Sequence, residues 1–286
     1  LETYIFDFTA SAAEVAYALE RAARRGVTVH VVADGYGSVP PPAAWAERFL
    51  EAGVEWRMYR PVGQWDLLFL PASWRRLHRK LCVIDGSIAF CGGINILDDF
   101  HDPNHGALEL PRFDFAVQAR GPLVGYAHLA MRRMRLRLEK PKGIGRLTGS
   151  LSSLRSLRGR AAAPPAAAPP DGHARAALVL RDNVRNRTRI EQSYRRAIGR
   201  AREEVIIANA YFVPGGKMRR ALISAAKRGV KVSLLLQGRY EYFMQYYASR
   251  PVYSALLGAG VETYECSASF LHAKVATVDG HWATVG

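Results

Sequence analysis

Over the first sixty residues the apolar positions switch between two periods. Residues 3–8 (TYIFDF) read as a strand, and from 11 to 25 apolar positions recur at helical steps. Ser11 stands where a cap belongs, with Glu14 three residues on to complete a capping box, and Gly26 ends the helix. Residues 27–34 (VTVHVVAD) form a continuous β-branched run, which predicts a strand buried on both faces. A Gly- and Pro-rich loop over 35–42, a helix over 43–52 and a strand over 54–59 follow. This βαβ rhythm predicts an α/β fold with a largely parallel sheet under helical cover.

Residues 61–76 interrupt the rhythm. They carry Trp65, Phe69 and Trp74 among Leu67, Leu68 and Leu70, and read either as a satellite core under a loop or as a greasy rim beside a site. Residues 77–95 then read as strand, Asp-Gly turn, strand. A strand over 112–117 and a helix opened by Gly121-Pro122 and running to about 139 close the first half.

The second half repeats the first. ALISAAKRGVKV (221–232) echoes ALERAARRGVTV (18–29), and AGVE recurs at 52–55 and 259–262. Residues 203–211 stand for the first strand, with ANAYFVP as a loop in which Asn209 and Tyr211 are candidates to line a cleft or to serve structure. Between the halves, 131–160 is strongly basic and 161–172 (AAAPPAAAPPDG) is low-complexity linker. The expected organisation is a lobe over 1–138, a linker over 139–174 and a second lobe over 175–286.

Composition narrows the partners. The formal charge of +15 on 286 residues favours a polyanion, either an anionic membrane surface or nucleic acid. The basic run contains no aromatics, which disfavours base stacking, whereas 61–76 favours lipid. Cys82, Cys91 and Cys266 are few and odd in number, as suits a reducing compartment. No apolar run approaches the ~20 residues that span a bilayer.

The chemistry lies where the repeat is strictest. His78, Lys80, Asp85 and Gly92 recur as His272, Lys274, Asp279 and Gly286, at the same offsets of two, seven and fourteen. Residues two apart on a strand share a face, so each half presents an imidazole beside an ammonium. A neutral imidazole attacks phosphorus, an imidazolium protonates a leaving oxygen, and lysines offset charge on the non-bridging oxygens. Two such pairs suit in-line displacement at one phosphorus. A metal site fits poorly, because the neighbouring lysine repels a cation. Asp98, Asp99, His101, Asp102 and His105 offer ligands at a spacing that matches no standard site, and read as a loop near the pocket.

The two segments resemble the paired HKD motifs of the phospholipase D superfamily. His78, Lys80, Asp85, Gly92, Gly93 and Asn95 fill the first copy, with Gly93 where many members have Ser. His272, Lys274, Asp279 and Gly286 fill the second as far as the chain runs. RDN (181–183), VIIANAYFVPG (205–215) and KRGVKVSLLLQG (227–238) further resemble the bacterial cardiolipin synthases of the B type. The chain starts without Met and stops inside the second motif, so it reads as a piece of a longer protein.

The resemblance implies duplicated lobes, each a central mixed β-sheet flanked by helices, related by a pseudo-twofold with the active site at the interface. It implies no cofactor and no metal. It implies transfer of a phosphatidyl group through a phosphohistidine onto phosphatidylglycerol, with phosphatidylethanolamine a second candidate lipid. A phospholipase D-type hydrolase or transphosphatidylase, or a nuclease of the superfamily, are the alternatives. His78 is the expected nucleophile because Asp114, on the following strand, is placed to orient it; His272 is the expected acid and base, and the reverse assignment stays open. Lys80, Lys274 and Asn95 are expected on the phosphate oxygens, and Gly92 and Gly93 are expected to let backbone approach the phosphate. Asp85 and Asp279 are expected to brace the turns or pair with the lysines. The implied location is peripheral, on the cytoplasmic side of a bacterial inner membrane.

Overall fold

The structure is a computed structural model that describes residues 1–61, 76–102, 105–139, 174–181, 186–239 and 253–286. Nearly all of the expected aromatic insertion over 61–76, nearly all of the linker over 139–174 and part of the RDN stretch lie outside the described residues.

Thirteen strands are described: β1 Glu2–Thr3, β2 His30–Asp34, β3 Glu55–Tyr59, β4 Lys80–Ile84, β5 Ile88–Gly92, β6 His101–Asp102, β7 Gly106–Ala107, β8 Ala116–Arg120, β9 Glu204–Asn209, β10 Lys231–Gln237, β11 Glu262–Cys266, β12 Lys274–Val278 and β13 Trp282–Val285. The first large sheet has the order β3-β2-β1-β4-β5-β8 and the second β11-β10-β9-β12-β13. β9 to β13 thus repeat the places of β1 to β5. Both sheets are mixed, with parallel pairs on one side and an antiparallel motif hairpin on the other.

Each sheet carries its own core. In the second, β10 alternates exposed or half-buried residues with buried Val232, Leu234 and Leu236. These pack with Met218, Leu222 and Ala225 of helix Gly216–Lys227 and with Ile198 of helix Arg189–Arg200. In the first, Phe6, Phe8, Phe49, Trp45 and Trp56 meet between helices Ala10–Arg24 and Ala43–Ala52 and the sheet. Their tilted and edge-on contacts add to the burial of large apolar area.

Three local expectations change. Ser11 does not cap the first helix, which starts at Ala10; instead Asp98 Oδ2 accepts the Ser11 N–H (3.2 Å), a carboxylate brought from 87 residues away. The first strand stops at Thr3, because Tyr4 and Phe6 turn their backbone groups to Ser38: its Oγ donates to Tyr4 O and accepts from Phe6 N. The strand expected over 112–117 is displaced to β8, because Phe113 pairs with Leu271 of the other lobe. Phe113 N–H donates to Phe270 O and His272 N–H to Phe113 O, both at 2.9 Å. That short bridge joins the two lobes beside the second motif.

Candidate active site

Both motif hairpins turn on Asp-Gly. Asp85 and Gly86 have φ of 49° and 63°, and Asp279 and Gly280 have 48° and 64°. Left-handed backbone at both central positions makes the tight turn whose twist matches the flanking strands, and Asp and Gly are the residues that tolerate it. The turns fix each hairpin's register, Lys80 opposite Gly92 and Val275 opposite Val285. They also place Asp85 and Asp279 at the strand ends remote from Lys80 and Lys274, five residues or roughly 16 Å away. Asp279 accepts the N–H groups of Arg202, Glu203 and Glu204 at 2.9–3.0 Å and ties its turn to the start of β9. Bracing is therefore the geometry found for Asp279, and neither aspartate reaches a motif lysine.

At the other end the two halves meet. His78 and His272 each stand two residues before the lysine that opens β4 or β12, so each shares a face with its lysine. Lys80 Nζ lies 3.4 Å from both ring nitrogens of His78. Lys274 Nζ lies 3.1 Å from His272 Nε2 and donates to His272 O at 2.8 Å. A tyrosine closes each pair: the Tyr4 ring is 4.8 Å from the His78 ring and 5.4 Å from Lys80 Nζ. The Tyr211 ring is 6.4 Å from His272 and 5.9 Å from Lys274 Nζ.

The supporting carboxylate is crossed over. Asp114 Oδ2 accepts from His272 Nδ1 at 2.7 Å, so the first lobe's aspartate orients the second lobe's histidine and not His78. The interlobe bridge at Phe113 sets that register. With Nδ1–H held by Asp114, His272 is left with Nε2 toward the site. Gly93 explains how the carboxylate fits: a Cβ there would lie 2.2 Å from Asp114 Oδ1 and 2.8 Å from Cγ. A Cβ on Gly92 would lie 2.3 Å from Phe115 O. The two glycines thus admit Asp114 and the segment that leads into β8, rather than leaving backbone open to a phosphate. Gly93→Ala should push the carboxylate off His272. The expected loss in turnover is on the order of 10- to 100-fold, with little further loss when combined with Asp114→Asn, because the two act on one contact.

Asn95 also differs from expectation, since its Oδ1 accepts the Ile5 N–H (3.2 Å) and steadies the segment that carries Tyr4. Gly286 N–H donates to Lys274 O and closes the β12–β13 ladder. Asp98 caps a helix, and buried Asp102 accepts from Arg112 and contacts His105, so these two acids are used structurally. Among the described residues no group of three or more His, Cys, Asp or Glu is arranged to hold a metal.

Two positioning groups escaped the sequence reading. Asp34, fully buried at the end of β2, accepts the N–H of Leu77 at 2.6 Å as well as those of Tyr36 and Gly37. Gln237, at the end of β10, accepts the N–H of Leu271 at 3.3 Å. Each holds the residue just before a motif histidine. The signal was present: both buried strands end in a polar residue followed by Gly, Asp34-Gly35 and Gln237-Gly238. Asp34→Ala strands three N–H groups. We expect a loss of roughly 1–3 kcal/mol in stability per unsatisfied buried partner and a fall in turnover that Asp34→Asn shares only in part, read by melting and by steady-state rates.

Electrostatics separate the histidines. His78 is lowered to about 3 by desolvation, then by the charges of Lys80, Lys274 and His272. His78 keeps an exposed edge, yet burial of the rest of the ring and the neighbouring cations hold it as a neutral imidazole at pH 7. Lys80 is lowered to about 7 by burial and by Lys274, while Asp114 and Asp34 pull it back up. His272 is also lowered, chiefly by burial, but the Asp114 hydrogen bond and charge act against this. A phosphodiester anion entering among these cations would raise Lys80 and His272 together and draw protons in with it.

The sequence profile described as "Cardiolipin synthase, PLD-like domain" matches residues 1–108 and 194–286. Cardiolipin synthase B of Salmonella typhi is 38% identical over 287 residues, covering 100% of this chain and 65% of the relative. Cardiolipin synthase B of Escherichia coli K12 is 37% identical over 290 residues, with the same coverage. The chain thus spans somewhat under two thirds of the length of these relatives. Among solved structures, phosphatidylserine synthase from Haemophilus influenzae Rd KW20 has a TM-score of 0.51 at 12% identity, covering 96% of this chain and 75% of that one, which is a likeness of fold. With two His-Lys strands meeting across paired mixed sheets, and the profile matched in both halves, this chain belongs to the phospholipase D-like family of cardiolipin synthases.

Proposed function

We propose that this chain is the catalytic part of a phosphatidyltransferase that makes cardiolipin. The observation that carries the reading is the convergence of His78–Lys80 and His272–Lys274, with Asp114 on His272 alone. His78, neutral and without an orienting carboxylate among the described residues, is the nucleophile. Its ring nitrogen bonds to the phosphorus of a phospholipid as the bond to the head-group oxygen breaks, giving a phosphatidyl-histidine. His272, protonated when substrate arrives, gives its proton to the leaving alcohol, with Asp114 stabilising the cation that it becomes before transfer. It then takes the proton from a primary hydroxyl of phosphatidylglycerol. That oxygen attacks phosphorus, the P–N bond breaks, and cardiolipin leaves. Lys80 and Lys274 offset charge on the non-bridging oxygens throughout. When phosphatidylglycerol is also the donor, the released alcohol is glycerol; phosphatidylethanolamine as donor would release ethanolamine.

Among the described residues no helix is long and apolar enough to cross a membrane. The proposed setting is the cytoplasmic face of a bacterial inner membrane, held peripherally by positive charge. Incubating the intact protein with vesicles of labelled phosphatidylglycerol should give cardiolipin and glycerol in equal amounts. Phosphatidic acid as the sole product would make the protein a hydrolase.

A further inference from the structure

The second lobe carries a basic groove away from the motif residues. Helices Arg189–Arg200 and Gly216–Lys227 lie side by side on the sheet, and between them opens a groove of about 560 Å³. It is lined by Gln192, Arg195, Arg196, Lys217, Arg220 and Ala221. Arg195 has a distant partner in Glu191 (3.9 Å); among the described residues no carboxylate pairs with Arg196, Lys217 or Arg220. Three convergent cations without counter-charge repel one another unless an anion sits between them.

The internal repeat supplies a control. Aligning 221–232 on 18–29 sets Lys217 on Glu14 and Arg220 on Tyr17. The first lobe builds the same helix on the same place in its sheet with an acid and a tyrosine at those positions. The fold therefore does not require these cations, and their presence in one lobe only points to a ligand.

One wall of the groove starts from the loop at the motif end of the lobe. Helix Gly216–Lys227 follows the loop that begins at Tyr211, whose ring faces His272, and Ala210 N–H donates to Ala273 O in the motif segment. Lys217 is six residues from Tyr211, a reach of at most roughly 20 Å. Val213 in that loop is 53% exposed and Ile190, at the start of the other helix, 39%.

We propose that this groove binds the phosphodiester of an anionic phospholipid head group in the bilayer surface, as a second lipid site distinct from the one that reacts. The inference rests on the lipid reading given above. Guanidinium groups match phosphate oxygens two at a time, and a lysine adds a compact charge. Val213 and Ile190 would touch the apolar edge of the head-group layer. Among the described residues the lining has no aromatic on which a base could stack, which favours lipid over single-stranded nucleic acid. Bound this way, the second lobe stands on the membrane with its catalytic mouth beside the lipid surface.

The test uses the intact protein carrying Lys217→Glu and Arg220→Tyr, the residues that the first lobe already accommodates, and separately Arg196→Gln. Binding is measured by co-sedimentation with phosphatidylcholine vesicles containing or lacking phosphatidylglycerol. Inorganic phosphate and a DNA oligonucleotide serve as competitors. The double variant should bind the anionic vesicles about tenfold or more weakly, with unchanged melting and unchanged turnover of a soluble short-chain phosphatidylglycerol. Arg196→Gln should weaken binding in the same direction, and wild-type binding should fall with salt. Equal vesicle binding by wild type and both variants overturns the site. Competition by DNA that the variants abolish, without an effect on vesicles, overturns the lipid assignment, and displacement by millimolar phosphate alone would show a site for free anion instead. Failure of cardiolipin formation with vesicle binding still lost in the variants would fault the proposed reaction and leave the groove standing.

Discussion

His78→Ala in the intact protein should lower cardiolipin formation by on the order of 10⁴-fold or more, because it removes the atom proposed to bond to phosphorus. Folding should survive. The side chain keeps an exposed edge, precedes β4 instead of lying within it, and leaves the backbone anchor from Leu77 to Asp34 in place. His272→Ala should cost somewhat less, about 10²–10⁴-fold, as for loss of a general acid and base. The two losses should differ in kind. A substrate whose leaving group needs no proton, such as a p-nitrophenyl phosphatidyl ester, should restore the first step in His272→Ala and do nothing for His78→Ala. Rescue of His78→Ala alone would reverse the assignment of nucleophile and acid, and equal rescue of both variants would leave neither histidine as the nucleophile.

Asp114→Asn should produce the next largest effect, a loss on the order of 10²–10⁴-fold, although the side chain keeps its shape. The amide can present its NH₂ to His272 Nδ1 and so favour the wrong tautomer, with the Nε2 end unable to serve as before. The pH dependence follows from the forces on His272. Asp114 raises its pKa against burial and the two lysines, so removing that carboxylate lowers it further. The acid form then exists only at lower pH, and activity should fall away at a lower pH than in wild type. The rate ratio between wild type and variant should therefore grow as pH rises. A ratio that stays constant across pH would mean that Asp114 shapes the lobe interface without tuning the imidazole. His78 should be indifferent to this change, since no hydrogen bond joins it to Asp114 among those described.

Much of this was legible in the sequence, and the exceptions share a cause. Period and turn chemistry located β2, β3, the helix Ala43–Ala52 and both Asp-Gly hairpins, since each depends on residues close in the chain. The duplication foretold two sheets of matching order. A strand pattern also says that Asp114 shares a face with its alternate neighbours, but not which lobe that face meets. That was decided by Phe113 pairing with Leu271, a contact across 158 residues. In the sequence Gly92 and Gly93 suggest clearance for a ligand, whereas the nearest atoms belong to Phe115 and Asp114. Clearance is legible from glycine; what occupies it is not. Asn95 and Asp34 follow the same rule in opposite directions: a motif amide turned to the backbone at Ile5, and an unremarked aspartate turned to Leu77 beside the motif histidine His78.

The phosphatidyl group is proposed to pass through His78. Mixing the intact protein with phosphatidylglycerol labelled in its phosphate, quenching within the first turnover in alkali and mapping the label on peptides tests it directly. Base-stable, acid-labile label is expected on the peptide containing His78, formed no more slowly than cardiolipin and absent from His78→Ala. Label on the peptide containing His272, or cardiolipin formed in a burst with no labelled protein at any time, would contradict it.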